Sequence, residues 1–379
     1  MDQAWYHPAE GRAGRMSGTK LRDITKVVKA TEEVPIRTTI PDGEDDPATK
    51  KGIIYPGFEV QIAEEWQGQE VEGNNLWYRD KNGDFYWSGW FGELAEEQEP
   101  VIELDESSVL PWWLSNYNIR EIWDEGYMGE GVKVAVLDTG LDPEHPNLRH
   151  AISTEDSFNF LDRNKNIKDW NGHGTHCTGI IAANGTNNVW GISPKATIVG
   201  GKITRSVTSG INLDVLADSI EYFSDKVHVI SISAGVAKIN KRLREAIDNC
   251  SNAIIVAAIG NSETRRKGDY PAEHDSVLAV GAIDELENIT DYTIRSGSIG
   301  VCAPGHEMYS TDKDGNYKTD SGTSMAAPFV AGLIALAKSK SPEKNMQEIS
   351  DLLIETGTEK ISGSFTYKTI NPVKFMERI

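Results

Sequence analysis

The stretch "GVKVAVLDTG", Gly131 to Gly140, decides the architecture of most of this chain. It is an apolar run of strand length, broken by one lysine and ending on an aspartate and a turn. A strand carries apolar side chains at consecutive positions when both of its faces are covered, as in a parallel sheet with helices packed on either side. "AIIVAAIG", Ala253 to Gly260, has the same character. Helix-length segments lie around these runs: "GTHCTGIIAA" from Gly174, "LDVLADSIEYF" from Leu213, "KRLREAIDNC" from Lys241 and "MAAPFVAGLIALAKSK" from Met325. Strands alternating with helices predict an α/β layered fold over residues 111–379.

Upstream the pattern changes. Residues 21–91 hold short alternating runs, including "VPIRTTI" from Val34, "FEVQIA" from Phe58 and "LWYRDKNGDFYWSGW" from Leu76, separated by turn residues. That predicts a small all-β domain. Asn82-Gly83 between two aromatic strands predicts a tight hairpin, since a primed turn needs the positive φ this pair tolerates. Residues 92–110 turn acidic and lose periodicity. They read as a linker or, because Glu93 to Trp113 is an acidic extended stretch ending just before the next domain, as a pro-segment that crosses that domain's cleft and restrains it until cut. Residues 1–20 read as a disordered tail, with "MSGTK" at Met16 similar to a second start.

Length and composition agree with two domains. The chain has 379 residues, with 38 basic against 58 acidic side chains and a formal charge of −20. Such an acidic balance argues against nucleic acid or an anionic membrane as partner and favours simple solubility. No window is long and apolar enough to span a bilayer, and the opening residues lack a secretory signal. The three cysteines, Cys177, Cys250 and Cys302, have neither metal-ligand spacing nor a paired framework. Free thiols in a reducing compartment fit best, so a cytoplasmic location is expected.

Three stretches carry chemistry. "VAVLDTGLD" ends a strand in Asp138, "NGHGTHCTGIIAA" opens a helix with His173, and "SGTSMAAP" opens another with Ser324. All three fall where strands end and helices begin, the edge on which α/β folds build sites. A serine hydroxyl is a poor nucleophile at neutral pH and needs a histidine base, which in turn needs a carboxylate to fix its tautomer. Acyl transfer also needs a donor for the oxyanion. "IVAAIGNSE" offers Asn261, and loss of one such donor costs about 2.7–4 kcal/mol of transition-state stabilisation. Taken singly, each residue has a plainer reading. Asp138 suits a structural turn, Ser324 a helix start, and His173 with His176 two metal ligands at i and i+3.

From about Pro111 to Ile379 the chain resembles the subtilisin-family serine proteases (subtilases). The matching stretches are "DEGYMGEGVKVAVLDTGLDPEHPNL", "NGHGTHCTGIIAA", "ISISAG", "AAIGNS", "YPAEHDSVLAVGAID", "APG" at Ala303 and "SGTSMAAPFVAG", in the family's order. The resemblance implies a three-layer fold with a mainly parallel central sheet and a serine endopeptidase acting on proteins or peptides. It assigns Asp138, His173 and Ser324 as the triad, with Asn261 and the Ser324 backbone N–H holding the oxyanion. It places Ser233, Ala234 and Gly235 along the primary substrate pocket and Ser209 and Gly210 along a neighbouring substrate strand. The chemistry requires no cofactor. Family members commonly bind calcium, but Asn147 stands where they often carry aspartate and the loop "NGTNNVWG" is slightly short, so a structural calcium is in doubt. "DKDGNYKTD", Asp312 to Asp320, lacks the pattern of a calcium loop and reads as a hairpin.

Residues 21–91 resemble a bacterial SH3-like barrel, which implies a peptide or cell-wall ligand. Its aromatics, Trp66, Trp77, Tyr78, Tyr86, Trp87 and Trp90, fit either a ligand face or the interior of a small barrel without disulfides. A second function follows from this domain: a catalytically silent adaptor in which the barrel recognises peptides.

Overall fold

A computed structural model describes residues 19–30, 34–37, 50–54, 59–71, 74–93, 110–207 and 210–379. The chain divides into two compact units, Met1–Val101 and Ile102–Ile379.

The second unit is built on a nine-stranded sheet. Its order is Thr358–Ser362, Phe365–Thr369, Ile299–Pro304, Val277–Ile283, Ile254–Ala258, Val229–Ile232, Lys133–Asp138, Thr197–Lys202 and Phe158–Asn159. Every pairing is parallel except that between the first two strands. The apolar run of residues 131–140 sorts by alternation. Val134 and Val136 enter one core, while Ala135 and Leu137 enter the other. Successive strand side chains point to opposite faces, so a run apolar at every position feeds two cores at once. One core holds the helices His173–Ala182 and Thr323–Lys340, and the other holds Leu213–Phe223 and Lys241–Asp248. Three layers result.

The short helix Trp112–Ser115 belongs to this unit's interior. Trp113 is buried and meets Phe329 of the long helix edge-on, with ring centroids 6.0 Å apart, and Tyr117 meets the same ring at 5.8 Å. The end of the segment considered for crossing the cleft is therefore a core anchor. Residues 94–109, which hold nearly all of the expected linker, lie outside the described residues. "DKDGNYKTD" forms the turn of a hairpin between Met308–Thr311 and Tyr317–Asp320.

The first unit is an antiparallel sheet of seven strands among the described residues. Its first strand begins at Thr19, so Thr19 and Lys20 leave the expected tail; the Lys20 Nζ pairs with Glu64 at 2.8 Å. Five of the six aromatics singled out are buried here. Tyr78 and Tyr86 join Val60 and Ile62 in one cluster, and Trp66, Trp77 and Trp87 join Phe85 in another. The side chain of Trp90 lies outside the described residues. The hairpin at Asn82-Gly83 forms, but only Gly83 takes a positive φ, 86°. Asp80 is the reason: its carboxylate accepts from the Asn82 and Asp84 backbone N–H groups at 2.8 and 3.0 Å, which holds a wider turn than the primed one expected.

Candidate active site

Asp138 is the last residue of a central strand, and the chain must turn sharply after it to reach the next element. Gly140 makes that turn with φ 117°, and a Cβ there would lie 2.4 Å from the Ile167 carbonyl. Gly174 completes the approach: a Cβ on it would meet the Gly140 carbonyl at 2.2 Å. Two glycines thus let the helix that opens on His173 press against the end of the Asp138 strand.

The gap is closed by a buried polar network. The Asp138 Oδ1 accepts from the Thr139 N–H at 2.7 Å. The Thr139 hydroxyl donates to Asp169 Oδ1 at 2.9 Å and accepts from the Gly174 N–H at 3.0 Å. Asp169 also accepts from the N–H groups of Asn171, Gly172 and Thr175 and from the Thr175 hydroxyl. A buried carboxylate with five donors is fully satisfied, and it fixes both the turn before His173 and the residue after Asp138. The motif reading missed Asp169. The available signal was an Asp three residues before a Gly that precedes a helix, a common turn device.

His173 receives Asp138 at Nδ1, 2.8 Å from Oδ1 and 3.0 Å from Oδ2. Burial pulls the imidazole's pKa down more than any other single effect, but the charge and hydrogen bond of Asp138 together with the interactions of Cys177 outweigh it and hold the pKa well above the ordinary 6.5. Cys177, one helical turn on, lies under the pair, 3.9 Å from His173 Nδ1. Burial pushes its thiol up, so the protonated S–H donates to the Ser324 carbonyl at 3.4 Å. His176 does not join His173 as a metal ligand. Its Nε2 is engaged with the Met308 and Lys318 carbonyls at 3.1 and 3.2 Å, and burial drops its pKa to about 4.

Ser324 is the second residue of the helix Thr323–Lys340. Its hydroxyl donates to the Ser233 carbonyl at 3.0 Å, and the Ser233 hydroxyl returns a bond to the Ser324 carbonyl at 2.7 Å. Among the described residues the Ser324 hydroxyl makes no hydrogen bond to His173. Asn261 is anchored by its oxygen, which accepts from the Thr323 N–H at 3.0 Å and hydroxyl at 3.1 Å. Its amide nitrogen is left to donate. A methyl group added at Gly322 would lie 3.2 Å from Asn261 Nδ2 and 3.6 Å from the Ser324 nitrogen. The bare glycine therefore keeps open the space on which both donors converge.

His173, Ser324 and Asn261 line one cavity of about 360 Å³, together with Gly210, Ser233, Ala234 and Gly235. Ser209 lies outside the described residues. Residues 129–369 match the model of the subtilase family. The chain is a subtilase.

Relatives agree. The major intracellular serine protease of Bacillus subtilis (strain 168) is 34% identical over 263 residues, covering 67% of this chain and 82% of that one. Thermitase of Thermoactinomyces vulgaris is 34% identical over 252 residues, covering 65% and 88%. Among solved structures, a cold-adapted subtilisin-like serine proteinase superposes with a TM-score of 0.59 at 25% identity, covering 64% of this chain and 89% of that one. The subtilase is a serine protease acting on protein or peptide substrates, which displaces the adaptor reading. Its Asn147 bears on calcium. The buried amide nitrogen donates to the Thr186 and Val189 carbonyls at 2.8 and 3.1 Å, and its oxygen accepts from the Tyr317 hydroxyl at 2.6 Å. A cation needs those carbonyl oxygens turned toward itself. Here an N–H donor holds them, so the residues present do not fit a calcium ion.

Proposed function

We propose that Ser324 attacks the scissile carbonyl while His173 accepts its proton and then returns it to the leaving amine. Rotation about the Ser324 Cα–Cβ bond would exchange the Ser233 carbonyl for His173 Nε2, in keeping with the loose catalytic contacts common in ligand-free sites. Asp138 orients His173 and stabilises the imidazolium. Asn261 Nδ2 and the Ser324 N–H stabilise the oxyanion, and water hydrolyses the acyl-enzyme. An extended substrate pairs as an added strand along Gly210 and, with Ser209, the segment beside it, and its side chain enters the pocket at Ser233–Gly235. The observation that carries this reading is the close approach of Asp138 to His173 at the wall of the cavity that also holds Ser324 and Asn261. Calcium takes no part in it.

The amino-terminal unit is read as an SH3-like barrel on the strength of its antiparallel sheet and aromatic interior. With Trp66, Trp77, Tyr78, Tyr86 and Trp87 in that interior, a peptide or cell-wall ligand would have to be met by other side chains. A cytoplasmic location is supported by the free cysteines and by the Bacillus subtilis relative's being named an intracellular protease. The test of the whole reading is labelling of the full chain with a fluorophosphonate probe, beside Ser324→Ala and a shortened chain beginning at Leu110. Labelling lost in the alanine variant is expected. Faster labelling of the shortened chain would support restraint by the upstream residues, equal rates would refute it, and no labelling of folded protein would sink the catalytic assignment.

A further inference from the structure

The cavity wall contains a charge that the chemistry does not use. Besides His173, the ionisable residues lining it are Asp269 and Asp320, and no lysine or arginine lines it among the described residues. Asp269 is the more enclosed acid, with its side chain one-fifth exposed (20%), and it is framed by two glycines. A Cβ on Gly235 would lie 2.5 Å from the Asp269 Cβ, and one on Gly260 would lie 2.6 Å from Asp269 Oδ2. Gly235 is in the segment assigned to the primary pocket, and Gly260 immediately precedes Asn261. Both glycines yield the volume that the carboxylate fills.

The two carboxylate oxygens differ in their partners. Oδ1 accepts from Arg265 Nη2 at 2.7 Å, whereas Oδ2 carries no hydrogen bond among the described residues. Arg265 is itself 41% exposed and divides its hydrogen bonding with the Gly268 carbonyl at 3.2 Å. An exposed pair of this kind is worth little and is easily exchanged. Glu273, the next acid along, is engaged elsewhere, accepting from the Gly268 N–H at 2.7 Å and from the Ser296 hydroxyl.

From this placement we infer that Asp269 makes the primary pocket select lysine or arginine at P1, the residue whose carbonyl is attacked. The inference rests on the catalytic reading above and adds a substrate class to it. A carboxylate in the primary pocket is how serine proteases recognise a basic side chain, and the unpartnered Oδ2 supplies a charge-assisted acceptor that an apolar P1 residue leaves unused. Ala234, a small residue on the same wall, offers an apolar P1 side chain little compensating contact. Arg265 acts as a resident competitor for the same carboxylate.

The test uses the full chain and a set of peptide anilides that differ only at P1: arginine, lysine, leucine or phenylalanine. The expected result is a kcat/KM for arginine or lysine about 10- to 100-fold above leucine, the range of one hydrogen bond to a charged group. In Asp269→Asn the arginine-to-leucine ratio should fall by a similar factor, and in Arg265→Ala it should rise. Preference for basic P1 should also weaken with added salt. A ratio at or below one in the unaltered protein, or a ratio unmoved in Asp269→Asn, would overturn the pocket assignment while fluorophosphonate labelling persists. Loss of labelling in the folded, unaltered chain would overturn this assignment and the catalytic reading together.

Discussion

Asp138 sets the electrical state of the site. With its carboxylate 2.8 Å from Nδ1, the His173 pKa lies well above 6.5 despite burial. Catalysis needs the neutral imidazole, so kcat/KM should rise with pH through that raised pKa, and the acid limb of the profile should lie above about 6.5. In Asp138→Asn the limb should move down, and kcat should fall about 10⁴-fold through loss of the correct tautomer. An acid limb at or below 6.5 in the unaltered protein would contradict the electrostatics. Stability runs the other way: the charged pair stabilises the fold below the unfolded histidine's pKa, and that contribution is lost as pH rises through the folded one. Asp138, His173, Ser324 and Asn261 could be singled out in the sequence because each sits beside a recognisable strand end or helix start. Asp169 carried only a common turn signal, and Asp269 none. Their roles come from contacts with Thr139 and Thr175, or with Gly235 and Gly260, and local spacing carries no record of such meetings.

At the scale of elements, the loop at residues 184–191 is held by one side chain. Asn147 clasps two of its carbonyls, while Tyr317 from the neighbouring hairpin fixes the amide's orientation. The sequence put a calcium site in doubt by placing an asparagine where the family often has aspartate; it could not show that the amide nitrogen would hold the loop's carbonyls. Chelation with EGTA should therefore leave the melting temperature of the full chain unchanged, as measured against millimolar calcium. Asn147→Asp should destabilise the chelated protein by about 1–3 kcal/mol, because the oxygen replacing Nδ2 would face the Thr186 and Val189 carbonyl oxygens without a donor. Added calcium should restore that variant. A drop in melting temperature of the unaltered protein on chelation would place a cation elsewhere in the fold. The hairpin at Asn82-Gly83 teaches the same lesson on a smaller scale, since an Asp80 carboxylate two residues away overrides the intrinsic preference of the pair.

For the whole molecule, the change from alternating short strands to strands separated by helices was visible in the hydrophobic pattern, and so were two units. The boundary was harder to read, because acidic composition says nothing about where burial resumes. Burial has resumed by Trp113 and Leu114, which are 1% and 0% exposed, and Trp113 packs edge-on against Phe329 in the helix that carries Ser324. Residues just upstream of the sheet thus brace the catalytic helix from behind. A chain beginning at Leu110 keeps this brace, whereas one beginning at Ile119 loses Trp113, Leu114 and Tyr117 together. Deleting even one large buried aromatic costs about 3–5 kcal/mol, so the shorter chain should melt well below the longer one in calorimetry. Its fluorophosphonate labelling should slow as well, since the helix that presents Ser324 would lose the surface it rests on. Equal melting temperatures for the two chains would mean that Phe329 finds other cover, and that the domain proper begins after Tyr117.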